Sequence, residues 1–173
     1  GAVQIFDSAT LILATSTTLG GNLTASADNG LTISGDLTST GNMTLEGDAN
    51  NSSDGTDNIS ITSGVTLNSG GTLTMDATTG GITAVGSAVF TATSGITIND
   101  TLSVSTGTVT FNNAASIAGL SLTAGTIDGA GDITVTGAMT WSGGTISGTR
   151  TLTTDTGVTT TMSASSAATL DTN

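Results

Sequence analysis

The side chains of this sequence that could do chemistry are almost all oxygen donors. The chain has 13 acidic residues and no His, Cys or Tyr, and its only basic side chain is Arg150. Calcium prefers such hard oxygen ligands, and they are densest in the segment 47–58. The sequence therefore predicts a calcium site in this segment, formed by Asp48, Asn50, Asp54 and Asp57.

The same segment has a second interpretation. It does not match an EF-hand loop, because no Gly or closing Glu falls at the required positions. It also lacks the Gly-Gly-x-Gly-x-Asp repeat of calcium-binding solenoids. The alternative is a solvated acidic loop that bulges from one corner of the fold and holds no metal.

Catalysis is disfavoured by the residue types that are missing. Without His, Cys, Lys and Tyr, the usual general bases and activated nucleophiles are absent. Paired carboxylates could still hydrolyse glycosides, and the nearest pairs are Asp128 with Asp132 and Asp54 with Asp57. Glycines lie between the first pair, which favours a structural corner. We expect no enzyme activity, no catalytic residue and no cofactor apart from calcium.

The net charge of −12 bears on the choice of partner. A chain with so little positive charge cannot neutralise phosphates, so we expect no nucleic-acid binding. Attraction to an anionic membrane surface fails for the same reason. We also expect no membrane insertion, because no apolar run approaches the roughly 20 residues that a spanning helix needs.

Threonine occurs in Thr-x-Thr pairs, such as Thr72/Thr74 and Thr108/Thr110, which raises ice binding as a function. Ice binding would need outward Thr pairs stacked in register on one flat face. Here a Thr or Ser follows the first apolar residue of nearly every short strand, as β-propensity and solubility alone would give. Ice binding is therefore kept only as an alternative.

Other polar and aromatic residues have simpler interpretations. Trp141 lies in phase with Met139, which predicts that its ring fills the core. Arg150 lies near a corner, where we expect a surface contact with a neighbouring carboxylate. Sequons, which matter only if the source glycosylates them, occur at Asn22, Asn42, Asn50, Asn51, Asn58 and Asn99.

One short phrase recurs along the chain and must position these residues. It consists of Gly, a polar or small residue, then apolar–Thr/Ser–apolar, then polar residues and another Gly. This alternation is typical of a strand with one buried face. The side chains predicted to point inward are Leu31, Ile33, Met43, Leu45, Ile59, Ile61, Leu67, Leu73, Met75, Ile96, Ile98, Val109, Phe111, Ile133, Val135 and Met139.

The spacing of the phrases selects the fold. They restart roughly every six to eight residues, closer together than the strands of most sandwiches. Three such strands make about 20 residues, one triangular coil of a β-solenoid. Gly, Asn and Asp suit the corners because they accept positive φ. The sequence thus predicts an all-β, right-handed parallel β-helix of about eight coils.

The chain is predicted to be organised as one unit. Residues 1–173 form a single solenoid segment, interrupted by the inserted acidic loop 47–58. The weakly patterned segment 158–173 is a last coil, a cap or a frayed end. Because the chain starts with Gly1 rather than Met, we expect a processed product or a piece of a longer protein.

The repeat style resembles that of a known group of proteins. The stretch 107–148, with Leu-Ser-Leu-Thr-Ala-Gly-Thr-Ile-Asp-Gly from Leu120 onward, carries the likeness best. It is similar to the repeat regions of large bacterial surface and secreted proteins of the filamentous-haemagglutinin and autotransporter-passenger kind. The resemblance implies a parallel β-helix, export and a stalk, fibre or adhesive role. It carries over no functional residue.

The expected function is mechanical. We expect a non-enzymatic extracellular rod, a stalk or filament of a cell surface or appendage. An adhesin or carbohydrate-binding surface for cell-surface glycans is the first alternative, and ice binding is the second. The first strands, at 3–6 and 9–14, are the most apolar of the chain. The expected partner is therefore the chain itself, end to end or as further coils of the same solenoid.

Overall fold

The computed structural model describes residues 1–52, 57–78, 80–163 and 168–170. These residues form an all-β solenoid of about 8 turns with about 20 residues per turn. Every pairing among the described strands is parallel. None of them forms a helix long and apolar enough to cross a membrane. The structure thus confirms the predicted fold class and the size of the repeat.

Each turn contributes a strand to three faces, named here A, B and C. Face A contains β1 (Val3–Asp7), β4 (Leu23–Ala27), β7 (Met43–Glu46), β10 (Leu73–Asp76), the first parts of β13 (Ile96–Val104) and β15 (Ala115–Leu122), β17 (Ile133–Val135) and β20 (Leu152–Thr154). Face B contains β2 (Leu11–Leu13), β5 (Leu31–Ile33), β8 (Ile59–Thr62), β11 (Ile82–Val85), the second parts of β13 and β15, β18 (Met139–Trp141) and β21 (Thr160–Met162). Face C contains β3 (Thr17–Leu19), β6 (Leu37–Ser39), β9 (Val65–Ser69), β12 (Ala88–Ala92), β14 (Thr108–Phe111), β16 (Thr126–Asp128), β19 (Gly144–Ile146) and β22 (Ala168–Leu170).

The alternation of apolar and hydroxyl residues decides which side chains form the core. Stacking places like residues above one another, so that Met43 lies between Leu23 and Leu73. All of the side chains predicted to point inward are buried, which confirms the period-two interpretation. They belong to one continuous hydrophobic core that runs along the solenoid.

Faces A and B are continuous in two of the turns. The sequence predicts separate strands on either side of Asn99 and Asp100, but β13 runs through both faces. The pairing of β13 with β15 is shifted between Ile98 and Thr101. This corner has one more residue in β13 than in β15, so the ladder is locally irregular and bends while both strands continue.

Corners between faces C and A are held by side chains as well as by backbone. Asn22 Oδ1 accepts a hydrogen bond from the backbone N of Asn42 at 3.0 Å. Asn42 Oδ1 in turn accepts one from the backbone N of Thr72 at 3.1 Å. The buried Ser69 Oγ lies 2.9 Å from Gly41 O and 2.8 Å from Thr72 O. The corners at Asn22, Asn42 and Thr72 are therefore bonded to one another in successive turns.

Candidate functional site

The predicted calcium segment 47–58 lies between β7 and β8, at the corner of faces A and B. Asp48 and Asp57, near its two ends, are 0% and 4% exposed. Asn50 is exposed, and Asp54 lies outside the described residues. The structure therefore places two of the four predicted ligands at the edge of the core.

Hydrogen bonds inside this segment use two of the predicted ligands. The backbone N of Ser52 donates to Asp48 Oδ1 at 3.1 Å and to Asn50 Oδ1 at 2.9 Å. The described part of the chain, which leaves out Asp54, holds no group of three or more His, Cys, Asp or Glu side chains that could hold a metal ion. The calcium site therefore stays a prediction.

Two acidic side chains on face A, Glu46 and Asp76, form a short acidic column that was not predicted from the sequence. Glu46, at the end of β7, pairs in register with Asp76 of β10, and Asn99 Nδ2 donates to Asp76 Oδ2 at 2.9 Å. Burial raises the pKa of Glu46, and the negative charges of Asp76, Asp48 and Asp28 raise it further. In the sequence, each of these acids directly follows the second inward residue of its strand, Glu46 in β7 and Asp76 in β10. This shared position could have predicted that they are neighbours.

Asp128 and Asp132 each bond to the following turn. Asp128 Oδ1 accepts a hydrogen bond from Ser147 Oγ at 3.0 Å. Asp132 Oδ1 accepts one from the backbone N of Thr151 at 2.8 Å. Both carboxylates thus brace the corner between faces C and A, as the corner interpretation predicts.

Outward hydroxyl groups form columns along the rod. On face A the strand pairing aligns Thr24, Thr44, Thr74, Thr97, Ser116, Thr134 and Thr153. The next outward position along these strands holds Ser26, Glu46 and Asp76. Face A therefore presents one hydroxyl column beside an acidic column, and not the paired Thr columns that ice binding would need.

A cavity of about 330 Å³ lies where the core reaches the last turns. Its lining includes Trp141, Ile146, Ser147, Gly148, Arg150, Thr151, Leu152 and Leu170. Trp141 is 6% exposed, which confirms that its ring fills the core. The expected contact of Arg150 with a neighbouring carboxylate is present, to Asp128, but the expected surface position is wrong, because the Arg150 side chain is only 2% exposed.

Arg150 is the only basic side chain of the protein, and it is incompletely paired. Its Nη2 lies 3.9 Å from Asp128 Oδ1 and donates to Gly129 O at 3.3 Å. Burial lowers the pKa of Arg150, and the charge of Asp128 acts in the opposite direction. Arg150 Nε, Arg150 Nη1 and Trp141 Nε1 are buried and have no hydrogen-bond partner among the described residues. Buried donors without acceptors are costly, most of all in a charged group.

Comparisons with protein-family models, with curated proteins and with solved structures gave no match. The solenoid itself is shown by the structure. The resemblance to haemagglutinin and autotransporter repeats therefore rests on the style of the repeat alone.

Proposed function

We propose that this chain is a rigid, non-enzymatic segment of an extracellular rod, a stalk or filament on a cell surface or appendage, of the haemagglutinin or autotransporter repeat kind. The observation that carries the proposal is the stack of about 8 parallel turns on one continuous core. Each turn bonds to its neighbours along three faces. Bending the rod would therefore strain several ladders at once.

The size and charge of the solenoid support this proposal. Parallel strands lie about 4.8 Å apart, so eight stacked turns make a rod about 40 Å long. The net charge of −12 favours solubility and discourages side-by-side association of such rods. The lack of His, Cys, Lys and Tyr supports a role without catalysis.

The first turn supports end-to-end continuation. Ile5 and Leu13 lie on the core side of β1 and β2 but are only partly buried. On the outer side, Phe6 is 61% and Ile12 is 62% exposed. We propose that a further turn of the same kind, from the same polypeptide or from a second copy, packs on this end and pairs with its strand edges.

Location in the source cells tests the proposed function. Antibodies raised against the isolated solenoid should label the surface or appendages of intact cells in immunoelectron microscopy. Preimmune serum and permeabilised cells serve as controls. Labelling that appears only after permeabilisation would contradict an extracellular rod.

Ice binding is kept as a second candidate: the hydroxyl column on face A is in register over most of the rod, although it is a single column and not a pair. If it is correct, the protein should show thermal hysteresis, and Thr74→Tyr in the middle of the column should abolish it. Thr83→Tyr, on face B, is the matched control. Wild-type protein without hysteresis would remove this candidate.

A further inference from the structure

The unpaired donors near the last turns point to a binding site. Arg150 and Trp141 line the same cavity of about 330 Å³. Three of their nitrogen atoms are buried without an acceptor among the described residues. We propose that this cavity binds a small organic monocarboxylate, whose anionic group pairs with Arg150 and Trp141 and whose apolar part contacts Ile146 and Leu152.

The donors select a carboxylate as the ligand group. Hydrogen bonds between a guanidinium and a carboxylate are charge-assisted, which makes them shorter and stronger than neutral ones. Asp128 supplies only a weak partner, since its Oδ1 lies 3.9 Å from Arg150 Nη2, also accepts from Ser147 Oγ and leaves Nε and Nη1 without an acceptor among the described residues. Gly129 O occupies only Nη2. Arg150 Nε and Nη1 and the indole N–H therefore remain for a ligand.

The walls of the cavity select the rest of the ligand. Ile146, Leu152 and Leu170 contribute apolar surface beside the Trp141 ring. The volume lies near the lower end of typical ligand pockets, about 300–1,000 Å³, which suits a compact ring or a short aliphatic chain. The net charge of −12 opposes multiply charged anions. Because the donor nitrogens of Arg150 and Trp141 are both covered, binding requires both side chains to move before their N–H groups reach a ligand in the cavity.

The chain carries its own reporters for this site. It contains one Trp and one basic residue, Arg150. The indole N–H and the guanidinium Nε–H therefore each give a single resonance in a ¹⁵N spectrum. Cyclohexanecarboxylate should shift both resonances in a saturable titration. Cyclohexanecarboxamide has the same ring without the charge, and it should bind at least about tenfold more weakly.

Two variants test the roles of the charges. Arg150→Gln should weaken binding of cyclohexanecarboxylate by about tenfold or more, with Trp141 as the reporter. Asp128→Asn keeps Arg150 and removes a neighbouring negative charge, so it should tighten binding severalfold. This second variant remains informative if Arg150→Gln fails to fold.

Three results would each overturn the proposal. They are equal affinity for the carboxylate and the amide, an Arg150 Nε–H resonance that does not move, and an unchanged affinity in Asp128→Asn.

Discussion

At the scale of single residues, the corners are decided by what fits beside the neighbouring turn. Gly129 has a φ of 116°, and a Cβ added there would overlap the carbonyl oxygen of Phe111. Gly64 has a φ of 89° but open space around it. Gly20 has open space and no positive φ. A comparison of these three positions therefore distinguishes the cost of backbone strain from the cost of steric overlap between turns.

Alanine substitutions should rank the three glycines. Gly129→Ala should lower the free energy of unfolding by about 3 kcal/mol or more, because strain at positive φ and overlap with backbone atoms act together. Gly64→Ala should cost about 1–2 kcal/mol from strain alone. Gly20→Ala, the control, should be nearly neutral. Urea unfolding followed by circular dichroism measures all three, and equal losses would contradict this explanation.

The acidic column on face A should make stability depend on pH through Glu46. Its pKa is raised in the folded state above the ordinary 4.5, so the folded protein binds this proton more tightly than the unfolded chain does. Stability is therefore lost as the pH rises from 4.5 through the raised pKa. Glu46→Gln cannot ionise and should be more stable than wild type at neutral pH. This advantage should shrink as the pH falls from the raised pKa towards 4.5, and it should be absent below 4.5, where Glu46 is protonated in both states.

Thermal unfolding over a pH series measures this effect. Asp155→Asn, at an exposed turn, changes the net charge equally and serves as the control. A stability difference between Glu46→Gln and wild type that is the same at every pH would show that Glu46 does not titrate as described.

At the scale of strands, the sequence predicts which residues of each turn point inward. It does not predict which residues of neighbouring turns lie side by side. The apolar–Thr–apolar phrase predicts Leu31 and Ile33 as inward residues because that alternation is local. The acid column and the burial of Arg150 depend on which residues lie one turn apart. That separation is 20 residues between Asn22 and Asn42 but 30 between Asn42 and Thr72. Such changes in turn length come from corners and loops, which the repeat phrase does not encode.

The aromatic pair on face C should couple two adjacent strands. The rings of Phe90 in β12 and Phe111 in β14 pack edge to face, with centroids 5.3 Å apart and an interplanar angle of 78°. Phe90→Leu and Phe111→Leu should each cost about 1.5 kcal/mol or less. A double-mutant cycle should give a coupling energy of about 0.5–1.5 kcal/mol. As a control, the effects of Phe90→Leu and of Val135→Ala on face A should be additive. A coupling energy of the same size for Phe90 with Val135 as for Phe90 with Phe111 would argue against a specific ring contact.

The inserted segment 47–58 should respond to Ca²⁺ if the predicted ligands act together. Calorimetric titration should show binding, with a rise in melting temperature, that Asp54→Asn plus Asp57→Asn removes. Asp128→Asn plus Asp132→Asn is the matched control, because it removes the same charge from a corner outside the segment. No heat and no shift in wild type would favour the solvated loop.

At the scale of the whole molecule, the partly buried first turn should drive assembly. Sedimentation velocity should show species that grow with protein concentration as rods stack on this end. Ile5→Lys plus Leu13→Lys should prevent growth, because charged side chains would have to be buried between stacked turns. Val85→Lys, at a 55% exposed position on the side of the rod, is the control. A wild-type monomer at all concentrations would contradict end-to-end packing.

The unequal lengths of the turns also bear on how the chain avoids misfolding. In a solenoid of identical repeats, a segment could pair one turn too early or too late, because each alternative neighbour offers the same contacts. Here the separation between partners in adjacent turns changes from 20 to 30 residues and later to 19, as between Asp128 and Ser147. A slipped segment would draw Asn42 away from Thr72 and would separate the two Phe rings. The unequal turn lengths therefore favour one pairing register of the folding chain over the slipped alternatives.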